Sequence, residues 1–167
     1  DVQESTTPHR LNAQAEDQAH NVSGLSPPTY FTVRNTAPAA PVVTTTVTLR
    51  ANLAAGATSP AAWDPANPTQ PSNFSTSVTV YASLGSPHAV QVFFRKSGSG
   101  SWEWHAMTDG AGLTGGTAGQ LSQIANGTLA FDSQGRLTAV TQSSSFNPIG
   151  ANNPQALSFD FGDPTGS

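Results

Sequence analysis

The chain has 167 residues, enough for one domain with an appended arm and a sizeable core, and only 10% of them are charged, against about a quarter in ordinary globular proteins. Six Lys and Arg against ten Asp and Glu give a net charge of −4, and the basic residues are scattered apart from Arg95-Lys96, which argues against a nucleic-acid partner. There is no cysteine, so neither a disulfide framework nor a thiolate metal site exists, and no run of about 18 apolar residues is present to cross a membrane.

Thr, Ser, Ala, Asn, Gln and Gly occupy the positions where charges usually stand. That mix suits exported bacterial β-proteins and subunits that pack side by side, where each buried charge would need a partner. The chain begins at Asp1 without a signal-peptide pattern, so it reads as a processed product or an excised piece of something longer.

Residues 1 to about 28 are polar and lack a sustained period, and read as an arm. A short helix over Leu11 to Ala19 fits their Ala, Gln and Glu content, although it has no apolar stripe to bury. Tyr30 to Arg34 reads as a first strand, and Ala37 to Pro41 as a stiff connector, because each proline disfavours helix in the residue before it. Val42 to Leu53 is among the strongest strand patterns in the chain. From Ala54 to Asn73 runs a long polar loop with four prolines, and Trp63 is the side chain to pin it onto the body.

Phe74 to Phe94 reads as a β-hairpin. Phe74, Thr76, Val78 and Val80 share one face of the first arm and Val90, Val92 and Phe94 one face of the second, because strand side chains alternate. Leu84-Gly85-Ser86-Pro87 supplies the turn. Ser97 to Gly100 is a further turn, leading to a strand on which Trp102 and Trp104 point one way and Glu103 and His105 the other. Residues 109–119 form a Gly-rich loop. Gly127 to Phe131 and Arg136 to Val140 flank a turn at Asp132 to Gly135, and Ala156 to Phe161 is a closing strand. Seven to nine short strands without a credible amphipathic helix predict an all-β antiparallel barrel or sandwich. The predicted boundary falls between a polar arm and connector, 1–41, and a β-domain, 42–167.

Chemistry is sparse. His88 and His105 approach a metal-site arrangement only if their strands pair and Glu103 joins them; the plainer reading is a turn-end and a strand histidine. Asp132 to Gly135 lacks the further carboxylates of a calcium loop. No Gly-x-Ser-x-Gly elbow, P-loop or convergent pair of acids is present, so no catalytic, cofactor or metal residue is assigned and no small-molecule ligand is expected. Trp63, Trp102, Trp104, Tyr30 and Tyr81 offer the aromatic surface of a sugar platform, weighed against their use as core filler.

The wording of the hairpin carries a resemblance. Phe74-Ser75-Thr76-Ser77-Val78-Thr79-Val80-Tyr81, then Ser83-Leu84-Gly85, Pro87-His88, Val90 to Phe94 and Trp102, resembles the outer β-domain of the bacterial flagellar hook protein. Val47 to Leu53, the Leu129-Ala130-Phe131 and Gly135-Arg136-Leu137 pair, and Leu157 to Gly162 resemble three more motifs of that family in the same order. Ala82 stands where the family usually has Asp, a position the resemblance implies caps the turn.

The resemblance covers about 42–162 and implies a middle fragment of a longer subunit. It implies a place on the outside of an extracellular helical tube that transmits torque as a flexible joint, with other copies as partners. In that setting Tyr81, Gly85, His88, Trp102, Trp104, Phe131, Gly135 and Phe159 are turn and core residues. Trp63, Asn67, Asn73 and Leu113, on the two long loops, are the candidate subunit contacts. The competing expectation is a secreted carbohydrate-binding or adhesin β-sandwich that uses Trp102 or Trp104 as its platform.

Overall fold

The computed structural model describes residues 9–11, 29–31, 44–151 and 153–164. The chain divides into two compact units, Asp1–Pro41 and Val42–Ser167. In the first, β1 (His9–Leu11) pairs antiparallel with β2 (Thr29–Phe31), His9 opposite Phe31 and Leu11 opposite Thr29. The helix expected from Leu11 onward meets a strand at Leu11, and the rest of it lies outside the described residues.

The second unit holds β3 (Thr44–Thr48), β4 (Phe74–Tyr81), β5 (Pro87–Gly98), β6 (Ser101–Asp109), β7 (Leu121–Phe131), β8 (Leu137–Ser144) and β9 (Ala156–Asp160). Strands β4 to β8 form one antiparallel sheet in chain order, each joined to the next by a turn or loop. Alternation puts Val80, Val90, Val92, Phe94, Trp102, Trp104 and Ala106 on its inner face. A bulge opposite Ala106 and Met107 interrupts the register of β7, and Ile124 and Ala125 are both buried there.

One pair departs from the antiparallel expectation. Strand β3 runs parallel to β9, Val47 opposite Phe159, and the two form a separate sheet. Turn residues reveal direction only between strands that follow each other, and these two are joined through the whole five-stranded sheet. Strand β3 is also shorter than the predicted Val42 to Leu53: Leu49 N–H still donates to Asp160 O at 2.8 Å, and then the chain leaves the ladder.

Val47, Leu157 and Phe159 from the parallel pair bury against the inner face, with Phe146 beside them. Phe159 and Phe161 pack on Trp104 with ring centroids 4.9 and 5.0 Å apart. Each fully buried ring or branched side chain contributes about 1.5–3 kcal/mol by transfer from water, so this layer is the main source of stability.

Among the described residues no hydrogen-bonded ladder joins the parallel pair to the larger sheet. Two glutamines bridge the gaps. Gln155 accepts from Ser83 N–H at 2.8 Å and donates to Thr45 Oγ1 at 2.7 Å and to Tyr81 O at 3.2 Å. At the other sheet edge, Gln142 accepts from Phe159 N–H at 2.8 Å and donates to Ser158 Oγ at 3.2 Å. Side-chain amides thus satisfy backbone groups that a closed barrel would pair directly.

Candidate functional site

The long loop between β3 and β4 wraps the strands β5 and β6, and adjacent β5 residues hold it from both sides, Arg95 in phase with the outer face and Lys96 in phase with the inner one. Arg95 donates through Nε to Ala61 O at 2.6 Å and through Nη2 to Pro60 O at 3.4 Å, while its Nη1 meets Glu103 Oε2 at 2.9 Å. The next residue, Lys96, donates through Nζ to Ala57 O at 2.9 Å and also to Ala55 O. Two adjacent cations therefore hold four loop carbonyls. A charged donor on a neutral carbonyl is worth more than an ordinary hydrogen bond.

Two residues beyond the last of these carbonyls the Trp63 indole lies flat on the His105 imidazole, ring centroids 3.8 Å apart and planes 2° apart, with Phe93 tilted against the indole at 5.9 Å. His105 Nδ1 donates to Gln123 Oε1 at 2.8 Å, which places the neutral ring's proton on Nδ1 and turns Nε2 toward Glu103 Oε2, 3.9 Å away. Burial pushes the His105 imidazole below its ordinary range, against the opposing pull of Gln123 and Glu103.

Several of the loop's own polar residues are engaged. Asn73 donates to Thr58 O at 2.9 Å and accepts from Lys96 N–H at 2.7 Å, and Asn67 Nδ2 donates to Asp64 Oδ2 at 3.0 Å. The Asn67 side chain and the Ala66 N–H hold the Asp64 carboxyl below the usual range. Leu113 faces inward and is only 8% exposed. Asp109 closes the Gly-rich loop by accepting from Ala111 N–H at 2.7 Å and Gly119 N–H at 3.1 Å.

At the hairpin tip, Gly85 has φ 87°, a conformation that L side chains adopt rarely. Ala82 sits buried in this turn, which is closed by backbone bonds between Ala82 and Ser86 and between Gly85 and Ala82, each 2.8 Å, while Gln155 Oε1 takes the Ser83 N–H within it. Tyr81 is exposed and Phe131 half-buried at the ends of their strands. Around the other turn, Asp132 accepts from the N–H groups of Gln134 and Arg136 and pairs with Arg136 Nε at 2.8 Å, while Gly135 takes φ 78°. Those bonds, led by the Arg136 N–H, lower the Asp132 pKa.

His88 lies on the inner side, edge-on to Phe146 at 5.2 Å, and His105 on the outer side. Opposite sheet faces prevent the two histidines from sharing an ion. Among the described residues no group of three His, Cys, Asp or Glu side chains stands close enough to hold a metal.

Trp102 and Trp104 are 3% and 0% exposed, so neither ring presents a face to a sugar, and the platform expected of a carbohydrate-binding module is absent from that strand. Alternation alone puts both rings on one face; which face is core follows from the parallel pair packing there. The anchoring roles of Arg95, Lys96, Gln142 and Gln155 were not assigned from the sequence, because their partners are mostly backbone groups that every residue carries. The one signal available was an adjacent cation pair beside a long loop in a chain so poor in charge.

The family described as Flagellar basal body protein FlaE D2 domain matches residues 48–167. Two relatives, each named Flagellar hook protein FlgE and coming from Helicobacter pylori strains 26695 and J99, are 33% identical to the chain over 90 residues, covering 52% of it. That match covers 12% of the length of each relative. No solved structure matches the chain. With well over half of its residues inside the matched region, the chain belongs to the Flagellar basal body protein FlaE D2 domain family.

Proposed function

We propose that the chain is a structural, non-enzymatic module of the bacterial flagellar hook, carried on the outside of a helical tube and packed against other copies of itself. The observation that carries this reading is the family match over residues 48–167, with relatives named as hook proteins. In this reading the seven strands of the second unit form a sandwich-like body whose two sheets are linked by Gln142 and Gln155. The location is extracellular, on the flagellum.

The charge arrangement supports the reading. Arg50, Asp64, Arg95, Lys96, Glu103, Asp109, Asp132, Arg136 and Asp160 all bond within the chain. Several of these pairs stay at the surface, as Arg50 with Asp160 and Arg136 with Asp132 do, but each charge has a partner in its own chain, and hydroxyls, amides and small apolar groups stand between them. A joint that bends while rotating must exchange its contacts continuously, and weak polar contacts exchange at lower cost than desolvated ion pairs.

Antibodies raised against the chain and applied to isolated flagella test the reading in the electron microscope. Gold label confined to a short curved segment at the filament base is the expected result. Label elsewhere on the cell, or none on the flagellum, overturns it.

A further inference from the structure

The middle of the loop between β3 and β4 is tied mainly to itself. Asn67 N–H donates to Asp64 O and Gln70 N–H to Asn67 O, both at 3.2 Å, and the Asp64 carboxylate takes the Ala66 N–H and the Asn67 amide. Among the described residues, every hydrogen bond made by 62–72 stays inside that segment. Its flanks are fixed to β5: Arg95 Nε donates to Ala61 O, Asn73 N–H donates to Phe94 O at 2.8 Å, and Asn73 accepts from Lys96 N–H. Between those ties the segment is seated by apolar contact, the Trp63 indole on His105 and Phe93, with Pro68 and Pro71 buried. A stretch hinged at both ends and held between them without hydrogen bonds to the sheet can open locally.

The ring stack that seats it is incompletely satisfied. Trp63 Nε1 and His105 Nε2 are buried, and neither has a hydrogen-bond partner among the described residues. His105 Nδ1 is engaged with Gln123, so a second proton on the ring goes to Nε2. The acceptor facing it, Glu103 Oε2, is 3.9 Å away, beyond hydrogen-bonding range, and already accepts from Arg95 Nη1 at 2.9 Å. Protonation with the stack in place therefore either buries a charged donor without an acceptor or draws Glu103 off Arg95, the residue that ties the near hinge. An unmet charged donor costs more than the cation–π attraction of imidazolium for indole returns.

We propose that residues 62–72 form an acid-released flap, latched by Trp63 on the neutral His105 ring and lifted when that ring takes a proton. Phe93 is 3% exposed with the flap closed, so lifting bares an aromatic ring on the outer face of the sheet. The charged groups around the imidazole are few. Glu103 on β6 favours the proton, Arg95 on β5 opposes it, Gln123 on β7 is neutral, and Asp64, the flap's one ionised side chain, is turned toward Asn67 and Ala66. Burial is the largest influence and holds His105 below its ordinary 6.5 while the flap is closed. Lifting uncovers the ring and returns it toward that value, so closure is fully favoured above 6.5 and weakens as pH falls toward the lower closed value. A single proton is taken up, and the open-to-closed ratio rises by at most about tenfold per pH unit.

Acrylamide quenching of tryptophan emission in the full-length parent tests this, with Trp63 isolated as the difference from Trp63→Phe. From about pH 7.5 to about pH 5.5 the quenching constant of Trp63 should rise at least about twofold, while emission from the buried Trp102 and Trp104 stays shielded. His105→Phe keeps a ring under the indole but cannot titrate, and should abolish the rise. Glu103→Gln, on a partly exposed side chain, removes the group that favours the proton and should move the rise to lower pH, a shift that a purely structural role for His105 would not produce. Circular dichroism at both pH values checks that each variant is folded. A flat profile, quenching that falls toward acid, an equal rise in His105→Phe, an unmoved rise in Glu103→Gln, or Trp102 and Trp104 becoming quenched in step with Trp63, as in global unfolding, each overturns the inference.

Discussion

The Trp63 indole and the His105 imidazole are stacked 3.8 Å apart and within 2° of parallel, and this contact joins the middle of a long loop to the outer face of the sheet. Stacking aligns two flat rings whose burial alone favours contact, and Phe93 completes the seat. Removing the larger ring in Trp63→Ala is expected to cost about 2 kcal/mol, less than for a wholly buried tryptophan because Trp63 keeps some exposure. The urea midpoint should fall by about 1 M with an unchanged slope. Limited proteolysis should then cut within 54–73 while sparing the strands, and equal resistance of both proteins would show that the stack does not hold the loop.

The same histidine makes stability depend on pH. Burial holds His105 and His88 below the ordinary value of 6.5, so the folded chain binds fewer protons than the unfolded chain as pH falls through that value. Their contribution is complete above 6.5 and is lost as pH falls toward the lower folded pKa values. Glu103 and Arg95, the charged groups facing His105, pull in opposite directions. Asp64 and Asp132 are held below 3.8 and act only in more acid solution. Urea midpoints should therefore drop between about pH 7 and about pH 5, and drop less in His105→Phe, which keeps a ring on Trp63 but cannot titrate. An undiminished slope in that variant would remove His105 from the account.

Gly127 sits where two strands approach too closely for any side chain. A Cβ there would lie 1.9 Å from Thr141 O and 2.8 Å from Trp104 Nε1. Gly127→Ala must therefore push β7 from β8 or displace the central tryptophan, at a cost of about 1–3 kcal/mol. Gly56 is the control, since a Cβ there meets nothing within 4 Å and its φ is not positive. Gly56→Ala should be neutral or slightly stabilising, by up to about 1 kcal/mol, through the unfolded chain. Calorimetric midpoints that move alike for the two variants would contradict the clash.

Much of this arrangement is legible in the amino-acid sequence, and what is not has physical causes. The β4–β5 hairpin shows plainly because Val78, Val80, Val90 and Val92 alternate with polar residues around a turn that needs Gly85. The first half of β7, Leu121 to Asn126, escaped notice because Ser122, Gln123 and Asn126 break the apolar alternation and Gly127 suggests an end. Strand β8 extends to Ser144 as an exposed edge, where Thr and Ser serve as well as Val. The direction of β3 against β9 leaves no local trace, since no turn connects them. At the site, Trp63 stands out as the one large ring in a polar loop, whereas the hold of Arg95 and Lys96 on the loop runs through backbone carbonyls and leaves no matching loop residue to recognise.

Gln155 is a single side chain that serves three partners: Ser83 N–H, Thr45 Oγ1 and Tyr81 O. It is 4% exposed, so its removal leaves groups that water reaches poorly. Gln155→Leu, close in volume but unable to hydrogen-bond, is expected to destabilise by about 2–3 kcal/mol, because the unmade bonds cost more than the apolar replacement returns. Hydrogen exchange distinguishes this from a general loss of packing. The Ser83 amide should exchange faster in the variant, while the amides of the β5–β6 ladder slow or quicken only with global stability. Uniform acceleration at every site would mean that Gln155 acts through the whole fold and not by tying the parallel pair to the hairpin.

Among the described residues most charged side chains bond within the chain, and this bears on assembly. Arg95 with Glu103 and Arg136 with Asp132 are pairs at 2.9 and 2.8 Å, so these groups already have partners before a neighbour arrives. Screening acts chiefly on exposed charges, and raising salt from about 0.05 M to about 0.5 M shortens the Debye length from about 14 Å to about 4 Å. Self-association of the parent subunit, followed by sedimentation, should change by less than about threefold over that range, with any rise reflecting relief of repulsion between copies that each carry −4. A tenfold weakening would instead reveal intersubunit ion pairs and contradict the proposed exchange of neutral contacts.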